Sequence, residues 1–206
     1  MKKQERLYSD VVIIGAGLSG INMACQLQRQ LSVYDYVVYD RADELGGAWA
    51  ANTCNTLLLP PRSSGWRTLD PGCGVDIPGA LYSFSWCPNP GFTNLFPSQK
   101  EILTYIQRVA LENRVTHRMR FQIEWKGAQW IESSSTWRIM LQDIRTRQEF
   151  HHEAKVLISA VGGYTNPEHP DIPGLDKFEG TVLHTAQWSE VPNLCGRRVA
   201  VVGNGC

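Results

Sequence analysis

The turn Gly15-Ala16-Gly17-Leu18-Ser19-Gly20 constrains this chain more than any other stretch. It follows Val11-Val12-Ile13-Ile14, a continuous β-branched run of the kind buried on both faces of a parallel sheet. Helical periodicity then runs over Ile21–Leu31, and Tyr36-Val37-Val38-Tyr39 reads as a second strand ending at Asp40. A strand, glycine turn, helix and acid-ended strand in about thirty residues form a β-α-β dinucleotide-binding unit. Gly15 permits the tight turn, Gly17 lets a pyrophosphate reach the backbone, and Gly20 lets the helix pack on the strand. The N-terminus of the helix that follows supplies unbonded N–H groups and a positive dipole end that favour an anion. A carboxylate at Asp40 accepts hydrogen bonds from ribose hydroxyls and disfavours a 2′-phosphate. The first site therefore suits FAD or NAD over NADP.

Beyond Asp40, residues 41–97 are rich in Gly, Pro, Trp and Asn and show little periodicity. In a compact domain, such a long irregular segment is commonly functional. Ser98–Asn113 is an amphipathic helix with Ile102, Leu103, Ile106, Val109 and Ala110 on one face. Ser98 is its expected N-cap, and Glu101 completes a capping box. Alternation over Phe121–Phe150 predicts a small β-meander, and Lys155–Ala160 predicts another buried strand. Arg198–Val202 predicts a strand leading into a second turn, Gly203-Asn204-Gly205. The expected fold class is α/β: a Rossmann-like domain with a parallel sheet plus a small antiparallel meander, followed by the start of a second Rossmann domain. The expected boundaries are 1–190 for the first domain and 191–206 for the first strand of the second.

Twenty basic and twenty acidic residues balance, so charge gives no reason to expect nucleic acid or an anionic membrane as a partner. The charged start Met1–Asp10 does not resemble a signal peptide. No apolar run reaches the roughly 20 residues of a membrane span. Six cysteines carry no C-x-x-C pair, which argues against a zinc site or a redox dithiol and predicts no metal. Reduced thiols in the cytoplasm are the expectation.

The segment Glu44-Leu45-Gly46-Gly47-Ala48-Trp49 begins a resemblance to class B flavin-dependent monooxygenases, in particular those of Baeyer–Villiger type. Pro71-Gly72-Cys73-Gly74-Val75-Asp76-Ile77-Pro78, Leu81-Tyr82-Ser83-Phe84-Ser85 and Gln99–Ile106 resemble the flavin-lining segment of these enzymes and the helix after it. Phe178-Glu179-Gly180-Thr181-Val182-Leu183-His184-Thr185-Ala186-Gln187-Trp188 fits their fingerprint F-x-G-x-x-x-H-x-x-x-W. The resemblance runs from about Leu7 to Cys206. It implies an FAD-dependent, NADPH-using enzyme that inserts one atom of dioxygen beside a ketone carbonyl, giving an ester or lactone. By family habit, it also implies a place in secondary metabolism. It assigns flavin contacts to Gly15, Gly17, Leu18, Ser19, Gly20, Asp40, Ala48, Trp49, Asp76 and Tyr82. Gly74, Val75 and Asp76 match a stretch near NADPH, and Asp76 is the candidate nearest the reacting ring. Phe178, Gly180, His184 and Trp188 are assigned to coupling between domains.

The sequence departs from this family in three ways. Ala48 and Ala50 replace a Thr and an aromatic residue, and Ser189 follows Trp188 where Pro or Asp is common. Seventeen residues, Cys54–Asp70, stand where the family carries a single Tyr between Asn-Thr and Pro-Gly. The codons available to Cys54-Asn55 and Leu69-Asp70 allow a splice donor and acceptor whose removal restores that Tyr. A retained intron and a true surface loop are the two accounts, and sequencing mature transcripts across these codons separates them. Finally, the sequence stops two glycines into the second turn, so the NADPH site is expected to be incomplete in this chain. Three functions follow as expectations: a Baeyer–Villiger enzyme, a flavin monooxygenase acting on nitrogen, sulfur or carbon, and a catalytically silent FAD-binding remnant.

Overall fold

A computed structural model of the chain describes residues 7–53, 68–69, 74–164, 166–184 and 194–203. These divide into two compact units, Met1–Ala51 with Leu103–Thr165, and Asn52–Ile102 with Asn166–Cys206.

In the first unit, β1 (Leu7–Ile14) runs into the glycine turn and α1 (Leu18–Leu31). Val11–Ile14 are at most 6 % exposed, as a strand covered on both faces requires. Helix α1 buries Ile21, Ala24, Cys25 and Leu27 and ends at Ser32, in the left-handed conformation. The chain returns as β2 (Tyr36–Tyr39), parallel to β1 with Ile14 beside Tyr39. The predicted β-α-β unit is therefore present. A short helix, α2 (Ala48–Ala51), closes this part of the unit.

In the second unit, β3 (Asn52–Thr53) pairs in parallel with β4 (Thr68–Leu69). The residues just before the inserted stretch thus lie beside two near its end and run in the same direction. Cys54–Arg67 and Asp70 lie outside the described residues. Helix α3 (Gln99–Glu112) starts in this unit and continues into the first. It buries Ile102, Tyr105, Ile106, Val109 and Ala110. One half of its predicted capping box forms, the bond from the Ser98 N–H to the Glu101 carboxylate, and Glu101 does more than make it. One carboxylate oxygen accepts from the Ser98 N–H and hydroxyl, both at 3.2 Å. The other accepts from the Thr93 N–H and hydroxyl, both at 2.9 Å. The Thr93 backbone donor, followed by its hydroxyl and the Ser98 donors, holds this carboxyl below its usual range. Glu101→Ala is expected to lower the melting temperature by a few degrees and to speed amide exchange in the first turn of α3; thermal unfolding and hydrogen exchange measure both.

The remaining strands of the first unit are β5 (Met119–Arg120), β6 (Ile123–Ile131), β7 (Thr136–Asp143) and β8 (Glu149–Ser159). The six-stranded sheet has the order β5-β2-β1-β8-β7-β6. The expected parallel strands and antiparallel meander are both present, and the correction is that they share a strand. One eleven-residue strand, β8, pairs antiparallel with β7 and parallel with β1. The polar run His151-His152-Glu153 conceals its continuity in the sequence. His152 and Glu153 are both 5 % exposed. Each is satisfied by a partner, His152 by two hydroxyls and Glu153 by Arg138 at 3.2 Å. The Ile123 N–H donates to the Asp40 carbonyl (2.9 Å), bringing the start of β6 back to the end of β2. The core joins Val12, Ile14, Val37 and Tyr39 to Ile139, Leu141 and Ala154.

A second correction concerns Arg198–Val202, which form no strand. Val199, Val201 and Val202 are 55 %, 84 % and 67 % exposed. No described strand pairs with this stretch, and strand geometry is held by such pairing.

Burial of the His152 imidazole has a measurable consequence. Desolvation lowers its pKa from the usual 6.5, against a smaller opposing effect of the Asp35 charge. The folded chain thus prefers neutral His152 more than the unfolded chain does. The associated stability is present above about pH 6.5 and is lost as pH falls through the window below it. Urea midpoints should fall between pH 7.5 and pH 5.5, and by less in His152→Gln.

Candidate cofactor-binding site

The glycine turn is fixed by the strands on either side of it. The Gly15 N–H donates to the Tyr39 carbonyl (2.7 Å), and the Ala160 N–H donates to the Ile14 carbonyl (2.7 Å). Gly15 has φ +110°, and a Cβ there would run into the backbone carbonyl of Ala160. Gly20 approaches the Gly15 carbonyl so closely that a Cβ would overlap it. These two glycines are requirements of the fold.

Gly17 differs from them. It is the N-cap of α1 with φ −82°, and a Cβ there would meet only Gly47, at an ordinary 3.4 Å from its Cα. The first intrahelical bond runs from the Ile21 N–H to the Gly17 carbonyl (3.0 Å). The N–H groups of Leu18, Ser19 and Gly20 precede that bond and have no acceptor within the helix. The helix start therefore offers backbone donors and a positive dipole end to an anionic group.

Asp40 stands at the same end of the sheet. Its carboxylate accepts from the Ala16 N–H at 2.6 Å and the Ala42 N–H at 2.8 Å. Its backbone is held on both sides, by the Arg120 carbonyl (3.0 Å) and the Ile123 N–H (2.9 Å). A carboxylate has about four acceptor positions, so two remain for hydroxyl donors. The acid that sequence spacing alone assigns to the ribose is thus bonded directly to the turn assigned to the pyrophosphate. These residues fit the ADP half of a dinucleotide.

Gly46 and Gly47 also belong to this arrangement, although the sequence suggests them only through the family resemblance. The Gly46 N–H donates to the Ala16 carbonyl (2.9 Å). Gly47, at φ +58°, would place a Cβ 2.8 Å from the Gly17 Cα. Their carbonyls start α2 by accepting from Trp49 (3.2 Å), Ala50 (3.1 Å) and Ala51 (2.9 Å). Ala48 and Trp49 are thereby anchored to the glycine turn through the backbone.

The other predicted residues lie in the second unit. Val75 is buried and its N–H donates to the Pro97 carbonyl (3.3 Å), while Gly74 bridges Ser98. Asp76 is exposed, and Tyr82 ends a 3₁₀ turn over Gly79–Tyr82. Of the fingerprint residues, Phe178 is exposed and its ring lies over Gly180. The His184 ring stands edge-on to His169, with centroids 5.3 Å apart. Trp188 lies outside the described residues. Among the described residues no group of His, Cys, Asp and Glu could hold a metal ion, and no helix is long and apolar enough to cross a membrane.

The family described as pyridine nucleotide-disulphide oxidoreductase matches residues 12–205. A Baeyer–Villiger monooxygenase of Streptomyces coelicolor is 35 % identical, over all of this chain and 36 % of its own length. The open crystal structure of cyclohexanone monooxygenase superposes with a TM-score of 0.72 at 30 % identity, covering 97 % of this chain and 35 % of that one. The OTEMO complex with FAD and NADP gives a TM-score of 0.67 at 27 % identity, covering 89 % and 31 %. The chain spans about a third of the length of the relatives it matches. The chain belongs to the pyridine nucleotide-disulphide oxidoreductase family.

Proposed function

We propose that the chain is the FAD-binding portion of an NADPH-using monooxygenase of Baeyer–Villiger type, acting in the cytoplasm. The observation that carries this reading is the bond between the Asp40 carboxylate and the Ala16 N–H, inside a glycine turn that Gly46 and Gly47 close from the other side. FAD, when bound, supplies the redox chemistry that activates dioxygen for insertion beside a ketone carbonyl. The chain's own contribution begins with binding. The N–H groups at Leu18, Ser19 and Gly20 receive the pyrophosphate, and Asp40 receives the adenosine ribose. Gly17, lacking a side chain, lets the phosphates approach the backbone. Ala48 and Trp49, on a helix started by Gly46 and Gly47, would contact the flavin when it is bound.

Asp76 and Tyr82 are proposed as contacts nearer the flavin ring, and Gly74 and Val75 as backbone approached by NADPH. Phe178, Gly180, His184 and Trp188 are proposed to couple the FAD-binding residues 1–190 to the NADPH-binding residues that begin at 191. The relatives' names favour a ketone and dioxygen as substrates. The test is NADPH consumption by the purified chain supplied with FAD and a cyclic ketone, with the product identified by mass spectrometry. Ketone-dependent oxidation that yields a lactone supports the reading. Bound FAD with no NADPH consumption marks a binding portion without turnover of its own, and oxidation dependent on an amine or sulfide moves the activity to a heteroatom.

A further inference from the structure

Cofactor binding as derived above uses Asp40 but not the residue before it. Tyr39 ends β2 and is 5 % exposed. Its carbonyl holds the Gly15 N–H, and its ring stands edge-on to those of Phe150 (6.2 Å) and His152 (5.7 Å). Its hydroxyl lies 2.8 Å from Nδ1 of His152, whose Nε2 lies 3.1 Å from the Ser9 hydroxyl. His152 and Ser9 are buried as well. A neutral imidazole has one donor and one acceptor nitrogen, and each hydroxyl can take the complementary part. A closed chain of bonds therefore ties β8 to β2 and β1, and breaking it leaves buried hydroxyls unpaired. A ring held at its hydroxyl restrains its own backbone, and the next residue along that backbone is Asp40.

We propose that His152 is a positioning residue for the cofactor's adenosine ribose: by anchoring Tyr39, it holds the Asp40 carboxylate in place to accept the ribose hydroxyls. The proposal rests on the FAD-binding reading. His152 touches neither the glycine turn nor the proposed ribose site. Its effect passes through the two bonds at Tyr39, hydroxyl to His152 and carbonyl to Gly15.

The test is calorimetric binding of ADP and of 2′,3′-dideoxy-ADP to the wild-type chain, His152→Phe and His152→Gln. Dideoxy-ADP keeps the pyrophosphate but lacks the hydroxyls that Asp40 would bond. His152→Phe should weaken ADP about tenfold, the scale of one misaligned hydrogen bond to a charged acceptor, and leave dideoxy-ADP nearly unchanged. His152→Gln, whose amide both donates and accepts, should restore most of the loss. Equal weakening of both nucleotides, or of neither, overturns the proposal. If His152→Phe does not fold, Tyr39→Phe keeps the ring and removes only the hydroxyl, and the same contrast is expected. A wild-type chain that binds neither nucleotide overturns the FAD-binding reading itself.

Discussion

Gly15→Ala and Gly17→Ala, two residues apart in one turn, should fail in opposite ways. At Gly15 a side chain needs a backbone at φ +110° and drives its Cβ into the Ala160 carbonyl. The obstacle is backbone, so no rotamer change relieves it. Strain at such a φ and a clash of this kind together cost about 3 kcal/mol or more. Glycine replacement alone, by removing freedom from the unfolded chain, would have stabilised the protein by about 0.4–1 kcal/mol. The sign of the effect therefore separates a special backbone position from an ordinary one. Gly17 has φ −82°, and its Cβ would meet Gly47 at van der Waals distance. Gly17→Ala should shift the urea midpoint little, yet weaken FAD about 100-fold by filling the space that the pyrophosphate needs. Equilibrium unfolding paired with FAD titration reads both arms.

Asp40→Ala has the second large expected effect. The substitution removes the acceptor of the Ala16 and Ala42 N–H groups, which lie 2.6 Å and 2.8 Å from the carboxylate. It also removes the proposed acceptor of the ribose hydroxyls. Hydrogen bonds to a charged group contribute about 1.5–3 kcal/mol each. Loss of the ribose bonds should weaken FAD about 100-fold or more, whereas loss of the two part-buried turn bonds, partly replaced by water, should lower stability by about 1–3 kcal/mol. Asp40→Asn keeps an oxygen acceptor for the turn but loses the charge. It should recover much of the stability and little of the affinity. An Asp40→Ala chain that still binds FAD as the wild type does would remove the ribose role from this residue.

The parts of the fold legible in the sequence were those with strong local signals. Val11–Ile14, the glycine turn and Asp40 appear where their spacing places them, and Glu101 reaches back to the Ser98 N–H as their spacing predicts. Continuity of β8 was hidden because His152 and Glu153 are satisfied by residues far away in sequence, Ser9, Tyr39 and Arg138. No local period reports such partners. The two-residue strand β5 is too short to show alternation at all. Gly46 and Gly47 gave no periodic signal either. Their role follows from an approach to Gly17 that only the folded chain brings about. Arg198–Val202 has the composition of a buried strand, and composition alone does not form a strand without a neighbour to pair with.

Whether this chain cradles FAD through the glycine turn and Asp40 is decided by the flavin content of the purified protein. After incubation with FAD and removal of the excess, one FAD per wild-type chain is expected by visible absorbance, and almost none in Asp40→Ala or Gly17→Ala. A folded wild-type chain that retains no flavin, or equal retention by all three proteins, would contradict it.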